Sequence, residues 1–332
     1  MKNFAIQLEK FGSIENLSLQ EVPVPIPEDD EVLVKVYCTG ISFADILIVE
    51  GKYQDTPKLP FIPGLEVSGI IQEVGNNVKN FKVGDEVVGL SSWGGFSEFV
   101  KLNSRFIVKK PRNMSFEIAA SMTINYGTSY YALVERAKIR PGQRVLILGA
   151  SGGIGLSAIE IAKAFDCKVT AVASSSDKLL MCEQYGADTL ILNDTNNLKE
   201  SIKKNNVEKF DLIYDTIGGQ TTVDSLSCIK WEGKILIIGF ASGDIADISV
   251  NKILLKGCDL VGIFWGPFAY GNKNFNLTCI EKIGNLYEKG LIKIAAPELY
   301  SINDFMKALA KIKNRESIGK LCLYTESYKA ER

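Results

Sequence analysis

The sequence has no histidine in 332 residues, and this absence excludes more chemistry than any other feature of the composition. Imidazole serves as a general base and as a zinc ligand, so Ser-His-Asp hydrolases, Cys-His proteases and ordinary catalytic zinc sites are excluded together. No uninterrupted apolar run reaches the roughly 18 residues that a membrane-spanning helix needs. The formal net charge is −1, which gives no reason to expect nucleic acid or a membrane as a partner.

Cysteines are few and scattered, seven in all, and no two of them form a Cys-x-x-Cys pair. An odd number of unpaired cysteines is typical of reduced thiols inside the cell. The first ten residues also lack the apolar core of a secretory signal. We therefore expect a cytoplasmic protein.

The remaining composition is that of a soluble globular chain, with 46% hydrophobic and 23% charged residues. Its length favours two domains. Residues 1–115 form short alternating runs separated by Gly and Pro, which indicates a small antiparallel barrel. The strands predicted there are 3–8, 32–37, 66–74, 85–90, 96–101 and 106–109.

A helical pattern follows Ser115, an expected N-cap, and continues to about residue 138, although Gly127 could interrupt it. From residue 144 strands and helices alternate, which predicts a doubly wound parallel sheet. The strands expected in it are 144–149, 168–173, 188–192, 210–215 and 233–239, and the helices are 153–166, 176–185, 197–206 and 219–229. The chain then predicts a strand at 258–264, helices at 275–289 and 303–314, and a last strand at 320–324.

A glycine-rich turn, Gly149-Ala-Ser-Gly-Gly-Ile-Gly155, joins the first strand of this alternating region to its first helix. Backbone N–H groups at such a helix N-terminus bind anions, and glycine lets a pyrophosphate approach the backbone. The turn predicts a dinucleotide site formed by Ala150, Ser151, Gly152, Gly153 and Ile154. The alternative is a turn that needs glycine for packing alone.

The same glycines also fit the pattern of short-chain dehydrogenases. That family begins its chain with the motif and uses Tyr-x-x-x-Lys in catalysis. Here about 140 residues precede the turn, and none of the twelve tyrosines is followed by Lys four positions later. The short-chain interpretation is therefore rejected.

The choice of nicotinamide cofactor depends on the end of the second parallel strand. An NAD-preferring site carries an acidic residue about 20 positions after the glycines, on the ribose 2′-OH. Here Ala173 occupies that place, and Ser174 and Lys178 follow it. A hydroxyl and a cation favour NADPH, with both side chains at the 2′-phosphate. The alternative is that Ser174–Lys178 is only the cap and first turn of a helix.

Taken together and in order, several segments resemble the zinc-free quinone oxidoreductase branch of the medium-chain dehydrogenase/reductase superfamily. They are Gly40-Ile-Ser-Phe-Ala-Asp45, Gly51-Lys-Tyr53, Pro60-Phe-Ile-Pro-Gly-Leu-Glu66, Val83-Gly-Asp-Glu-Val87, Gly94-Gly-Phe-Ser-Glu98, the glycine turn, Gly186-Ala187, and Arg315 with Gly319-Lys320. The resemblance implies an α/β fold with a GroES-like β-barrel catalytic domain and a Rossmann cofactor domain. The expected division is 1–121 and 263–332 for the catalytic domain and 122–262 for the Rossmann domain.

Zinc-binding relatives carry a Cys ligand in the segment that matches Gly40–Asp45, and a Gly-His-Glu segment where this chain has Gly64–Glu66. Ser42 and Leu65 stand at the ligand positions here. A hydroxyl and an isobutyl group do not supply the ligands that zinc needs, so no metal is expected. Glu66 is then expected to pair with a cation, and Asp45 to be structural.

The resemblance also implies individual site residues. Ser42 would face nicotinamide and substrate, Tyr53 would bond a substrate oxygen, and Thr128 would lie near the nicotinamide. Tyr53 could instead be a packed loop aromatic, and Thr128 a helix-kink residue whose hydroxyl bonds its own backbone. Further cofactor contacts are expected from Asn125, Asn193, Gly239, Phe240, Phe264, Trp265 and Arg315. Many relatives have an Asn-Tyr pair at the 2′-phosphate, whereas this chain has Asn193-Asp194, an unfavourable charge for a phosphate neighbour.

The function implied is NADPH-dependent reduction of a small quinone or an α,β-unsaturated carbonyl without zinc, by a homodimer that pairs through the strand near 258–264. One alternative is an enoyl-thioester reductase of the same fold. The other is a non-enzymatic NADPH-binding relative, similar to the vesicle amine transport protein or the lens crystallins.

Overall fold

The computed structural model describes residues 2–193, 197–205, 208–271 and 278–329. The chain folds into two compact units. The first is made of the described residues within 1–124, 272–288 and 294–332, and the second of those within 125–271 and 289–293. No helix in these described ranges is long and apolar enough to cross a membrane.

The described strands are numbered in chain order. The first seven are β1 Asn3–Leu8, β2 Leu17–Val22, β3 Glu31–Ile41, β4 Glu66–Val74, β5 Glu86–Leu90, β6 Phe99–Asn103 and β7 Ile107–Lys109. The next six are β8 Arg144–Leu148, β9 Lys168–Ala173, β10 Thr189–Leu192, β11 Phe210–Asp215, β12 Ile229–Ile237 and β13 Asp259–Gly262. The last two are β14 Glu298–Ser301 and β15 Leu321–Tyr324.

The helices are numbered in the same way. The first six are α1 Phe43–Val49, α2 Phe116–Ala120, α3 Thr123–Tyr130, α4 Gly153–Ala164, α5 Ser176–Gln184 and α6 Leu198–Lys204. The others are α7 Gly219–Ser225, α8 Val250–Lys256, α9 Trp265–Gly271, α10 Thr278–Glu288, α11 Phe305–Lys313 and α12 Glu326–Lys329. A π-helical segment, Tyr131–Arg136, continues α3, and short 3-10 turns occupy Ile14–Asn16, Ser104–Phe106 and Ile302–Asp304.

The first unit is built around β3, the longest of its strands. One side of β3 pairs with β4, while the other side pairs with β6 along its first half and with β15 at its end, all antiparallel. The residues of β3 are almost all buried, as its valine-rich sequence predicts for a central strand. α1 and α11 pack on this unit with apolar side chains that include Ile46, Ile48, Phe305 and Leu309.

The second unit is a six-stranded parallel sheet in the order β10-β9-β8-β11-β12-β13. Its core contains Leu146, Leu148, Val172, Ile213 and Ile235, all at most 4% exposed. Apolar runs buried on both faces are what a parallel sheet covered by helices requires. The strand order reverses between β8 and β11, and such a reversal opens a crevice at the carboxyl ends of the strands.

The segment after Ser115 differs from its prediction. The expected helix to residue 138 is divided at Ser121 and Met122, not at Gly127, which lies inside α3. The Ser121 N–H donates to the Ile118 carbonyl at 3.1 Å and its hydroxyl donates to the same oxygen at 2.7 Å, which closes α2 in a tight turn.

Several elements were not predicted at all: β2, α1, α8, α9, β14 and α12. They are short, and a helix of two turns offers too few residues for a period of 3.6 to stand out. In α8 no side chain is buried, so its apolar residues do not mark a core-facing stripe.

Candidate functional site

The carboxyl ends of the six parallel strands lie at one edge of the second unit, because parallel strands all run in the same direction. Residues predicted to bind cofactor follow five of these strands directly. They are Ala150–Ile154 after β8, Ser174 after β9, Asn193 after β10, Gly239 and Phe240 after β12, and Phe264 and Trp265 after β13. The topology therefore brings together residues that are more than 100 positions apart in sequence.

The glycine turn after β8 has the geometry of an anion site. Gly149 has φ +71°, a left-handed conformation that glycine adopts without strain. A Cβ on Gly155 would lie 2.5 Å from the Gly149 oxygen and 2.6 Å from the Ala150 oxygen, so only glycine lets α4 start this close to the turn. Gly152 is exposed and caps α4, which leaves its backbone open to a ligand.

Asn125 lies directly beside this turn, and Thr128 lies on the same helix, α3. A Cβ on Gly153 would be 2.4 Å from the Asn125 amide nitrogen, so this side chain crosses directly over the start of α4. Gly127 packs in the same way against the Trp265 indole, whose ring atoms would lie 2.6 Å from an added Cβ. The structure thus places Trp265, which is 3% exposed, against the helix that carries Thr128.

The Thr128 hydroxyl forms no hydrogen bond to another described residue, and its side chain is 9% exposed. The neighbouring Ser129 makes the polar contacts of this stretch, with the Ser157 and Tyr214 hydroxyls at 2.8 and 2.9 Å. The alternative in which Thr128 bonds its own backbone finds no support in this geometry.

Ser174 and Lys178 lie together at the end of β9. The Lys178 ammonium donates to the Ser174 hydroxyl at 3.4 Å, and Ser174 is exposed. The N-cap of α5 is the intervening Ser175, whose hydroxyl accepts the Lys178 N–H at 3.5 Å. Capping therefore falls to Ser175, which leaves the Ser174 hydroxyl and the Lys178 ammonium as a polar pair at the strand end.

Asn193 lies beside this pair, since its N–H donates to the Ala173 carbonyl at 2.9 Å. Its side-chain oxygen accepts from the Ser201 hydroxyl at 3.3 Å. Asp194, which follows it, lies outside the described residues.

At the opposite end of the sheet, after β12 and β13, lie two of the predicted aromatic residues. Phe240 packs against Gly218, and Phe264 is 45% exposed.

Ser42, Tyr53 and Arg315 belong to the first unit and are not among the strand-end residues. Ser42 is the N-cap of α1 and is half-buried. Tyr53 packs against the apolar core, and burial together with the nearby Asp45 carboxyl raises the pKa of its phenol. Arg315 follows α11 with φ +59°, in the left-handed conformation common after a helix end.

Glu66 is buried and engaged by two partners. One carboxylate oxygen lies 2.6 Å from the Lys320 ammonium, and the other accepts the Ile124 N–H at 2.8 Å. Strand pairing explains why Glu66 and Lys320 lie close together. Gly40 of β3 lies opposite both Glu66 of β4 and Cys322 of β15, and Lys320 directly precedes β15. Glu66 therefore pairs with a cation as predicted, although Lys320 was not predicted as that cation.

The residues around Ser42 do not fit a zinc ion. The Ser42 hydroxyl donates to Asp45, Leu65 has no donor atom, and Glu66 is already paired with an ammonium. Zinc sites in proteins are built from thiolate, imidazole and free carboxylate ligands. Within the described part of the chain, no three Cys, Asp or Glu side chains are grouped so as to hold a metal ion.

Sequence reasoning missed one further group at the strand ends, the Asp215 carboxyl. It accepts the N–H groups of Ile217 and Gly218 at 2.8 and 3.1 Å and bonds the Thr222 hydroxyl, while burial raises its pKa. Asp215 thus holds the turn after β11 in shape. An acidic residue directly after the buried run Leu212-Ile-Tyr214 was the available indication.

Comparison with known proteins agrees with both units. Residues 28–112 match the family model of the alcohol dehydrogenase GroES-like domain, and residues 153–277 match that of the zinc-binding dehydrogenase domain. The rat quinone oxidoreductase-like protein 2 is 34% identical over 310 residues, which cover 92% of this chain and 88% of that protein. The chain belongs to the quinone oxidoreductase family of the medium-chain dehydrogenase/reductase superfamily.

Solved structures of this superfamily extend the likeness over almost the whole chain. Escherichia coli quinone oxidoreductase, whose structure is a complex with NADPH, has a TM-score of 0.89 and 27% identity, with 97% of this chain and 99% of that chain covered. The CurK enoyl reductase has a TM-score of 0.88 and 25% identity, with 98% and 100% covered. The predicted family, and the predicted pairing of a GroES-like domain with a Rossmann-type sheet, are confirmed.

Proposed function

We propose that this member of the family is an NADPH-dependent reductase of small quinones or α,β-unsaturated carbonyls that works without zinc. The observation that supports this most is the set of five strand ends that deliver the glycine turn, the Ser174–Lys178 pair and Trp265 to one edge of a parallel sheet. Ligands of open α/β sheets bind at this edge, beside the point where strand order reverses.

The site residues fit NADPH. Backbone N–H groups of Gly152, Gly153 and Ile154 would hold the pyrophosphate at the start of α4. The Ser174 hydroxyl and the Lys178 ammonium, 3.4 Å apart, would bind the 2′-phosphate, and Asn193, whose N–H donates to the Ala173 carbonyl, would lie beside them. The NADPH held by the Escherichia coli relative agrees with this assignment.

The predicted site residues would serve the reaction in different ways. NADPH, when bound, supplies a hydride. Asn125, Thr128 and Trp265 would orient the nicotinamide and exclude water, and Gly239, Phe240 and Phe264 would line its outer side. The Ser42 and Tyr53 hydroxyls would hold the substrate carbonyl by hydrogen bonds.

No step of this proposal needs a metal. The contacts of Ser42 with Asp45 and of Glu66 with Lys320, and the lack of a donor atom in Leu65, support a site without zinc. Polarisation of the substrate carbonyl would come from hydrogen-bond donors instead. Quinones and enones accept a hydride under such conditions because their carbonyls are already electron-poor.

The test measures NADPH oxidation at 340 nm with a panel of small quinones and enones, with and without a chelator. We expect turnover that the chelator leaves unchanged, and kcat/KM higher with NADPH than with NADH. No turnover across the panel would remove the proposal, and an NADH value equal to or above the NADPH value would remove the cofactor assignment.

Two rivals have distinct outcomes in the same assay. An enoyl-thioester reductase would turn over enoyl thioesters faster than quinones, and the similarity to CurK, which is named an enoyl reductase, is the reason to test it. A non-enzymatic relative would bind NADPH tightly and oxidise none of it.

We also propose a homodimer that forms at the outer edge of β13. In the described sheet β13 is a terminal strand, and the neighbouring α8 exposes Val250, Leu254 and Leu255. A hydrophobic strand edge and an adjacent apolar helix are covered best by a second copy of the same surface.

A further inference from the structure

The proton of the Ser42 hydroxyl is directed into the protein by Asp45. The Ser42 hydroxyl and backbone N–H both donate to Asp45 Oδ2, at 2.9 and 2.8 Å, and the Gly64 N–H donates to Oδ1 at 3.2 Å. Asp45 is fully buried, whereas Ser42 is half-buried. With Asp45 ionised, the hydroxyl can therefore only accept a hydrogen bond on its open side.

Capping of α1 does not explain why the Asp45 carboxyl is so deeply buried. A capping carboxylate needs the N-cap N–H as a partner but has no need to leave solvent. Here burial raises the pKa of Asp45 from 3.8 to about 6, even though the bonds from Ser42 and the Lys320 ammonium oppose the rise. The carboxyl thus changes its charge close to physiological pH.

The charged groups around Asp45 support the same conclusion. Lys320, directly before β15, and Glu66, from β4, form a buried ion pair 2.6 Å apart, with side chains 8% and 1% exposed. Tyr53, in the loop after α1, is the third titratable neighbour. Two carboxylates and one ammonium leave a net charge of −1 in a buried cluster, which protonation of Asp45 cancels.

We propose that Asp45 is a positioning residue that decides whether the Ser42 hydroxyl donates or accepts at the bound acceptor, and that it supplies the proton of the reduction through Ser42. The proposal rests on the reductase function proposed above. When Asp45 is protonated, its Oδ2–H donates to Ser42 Oγ, and the Ser42 proton turns outward to the substrate oxygen. When Asp45 is ionised, the Ser42 hydroxyl donates to the Asp45 carboxylate instead, and it no longer donates to the substrate oxygen.

The reaction balances with one proton. Hydride addition to the acceptor places two electrons and a negative charge on its oxygen. The Ser42 O–H bond then breaks as the substrate O–H bond forms, and the Asp45 proton replaces the one that Ser42 has given. One acceptor, one hydride and one proton yield the hydroquinone or the enol, and solvent returns the proton to Asp45.

The test compares pH profiles of kcat with a small quinone at saturating NADPH from pH 5 to 8.5. Protonated Asp45 is the active form, so the wild-type rate should fall as pH rises through about 6. Ser42→Ala and Asp45→Asn should each lower the rate at pH 5.5 by about 10²-fold and remove the pH step. The double variant should be no slower than either single one, because both act on the same proton.

Ser42→Ala keeps the two N–H bonds to Asp45 and therefore tests the relay even if Asp45→Asn folds poorly. Ser227→Ala is the matched control, since it removes an exposed hydroxyl whose partner is the Asp224 carbonyl, and it should leave the profile unchanged. A Ser42→Ala enzyme that retains the wild-type pH step would overturn the relay.

A second readout needs no turnover. The carboxyl ¹³C resonance of Asp45 in cofactor-free protein should titrate near pH 6, and Ser42→Ala should move that titration to higher pH because the ionised form loses a donor. Absence of titration between pH 4.5 and 8 would overturn the switch. Failure of the wild-type enzyme to reduce any acceptor, with this titration present, would instead count against the proposed function.

Discussion

Lys178 carries the positive charge of the polar pair at the end of β9, and its partner Ser174 has no charge. Phosphate binding at such a pair depends mainly on the ammonium, because charge-assisted hydrogen bonds are about twice as strong as neutral ones. NADH has a hydroxyl where NADPH has the 2′-phosphate. Lys178 should therefore distinguish the two cofactors.

We expect Lys178→Gln to lower kcat/KM for NADPH about tenfold, which corresponds to about 1.4 kcal/mol, and to leave kcat/KM for NADH within about twofold. Steady-state kinetics with both cofactors measures this. Lys199→Gln, an exposed lysine on α6, is the control and should change neither value. Equal losses with both cofactors would mean that Lys178 does not contact the 2′-phosphate.

The positions of single residues were predictable where they depend on near neighbours in sequence. Ser174 and Lys178 were found by counting from the glycines, and the structure places them 3.4 Å apart. Asp45 was expected to be structural, and it does cap α1 by accepting the Ser42 N–H. Its charged surroundings were not predictable, because Lys320 reaches Glu66 only through the pairing of β3 with both β4 and β15.

At the scale of elements, two glycines between β8 and α4 have different purposes. One leaves room for a ligand, and the other lets the helix pack against the turn. A methyl group on Gly152 would meet only the Gly149 oxygen, at an ordinary 3.6 Å. A methyl group on Gly155 would press on backbone atoms at 2.5 to 2.7 Å. The first position is thus open toward a ligand, whereas the second holds the helix against the turn.

Gly152→Ala should fold with the wild-type melting temperature and bind NADPH at least tenfold more weakly, because the methyl group occupies the place of the pyrophosphate. Gly155→Ala should lose about 1 to 3 kcal/mol of stability without cofactor, since α4 must move outward. Thermal unfolding and NADPH titration separate the two effects. Unchanged NADPH affinity in a folded Gly152→Ala protein would place the pyrophosphate elsewhere.

Elements were predictable to within a few residues where glycine and proline bound long apolar runs. β9 and β11 begin and end where the sequence predicted, at 168–173 and 210–215. The break at Ser121 was missed because it depends on a hydrogen bond from the Ser121 hydroxyl to the Ile118 carbonyl, and hydrophobic periodicity does not indicate such a bond. Gly127 suggested a break but is needed for the Trp265 contact instead.

At the scale of the molecule, several of the most exposed apolar side chains of the second unit belong to β12, α8 and the edge strand β13. Leu254 is 77% exposed, Leu255 73% and Trp231 71%, and Leu260 on the edge strand β13 is 40% exposed. Residues of α8 and β13 also line an open cavity of about 470 Å³. A monomeric protein seldom leaves so many large apolar side chains together in water.

This surface was not predictable from periodicity, since partner-facing and core-facing residues share the same composition. The sequence suggested pairing only through the family resemblance, at 258–264. The exposure of α8 adds a second element beside β13. Two copies that associate through α8 and β13 would bury this apolar surface and pair the open edge of β13 at the same time.

The dimer is tested by placing one charge at its centre. Light scattering coupled to size-exclusion chromatography should give the wild-type protein a molar mass of twice the 36.5 kDa chain mass. Leu260→Asp should shift it to the monomer mass, because a carboxylate at the edge strand would be buried without a partner on association. Val83→Asp, at a position of the first unit that is 58% exposed, is the matched control and should remain dimeric. A monomeric wild-type protein, or a dimer that survives Leu260→Asp, would contradict pairing through β13.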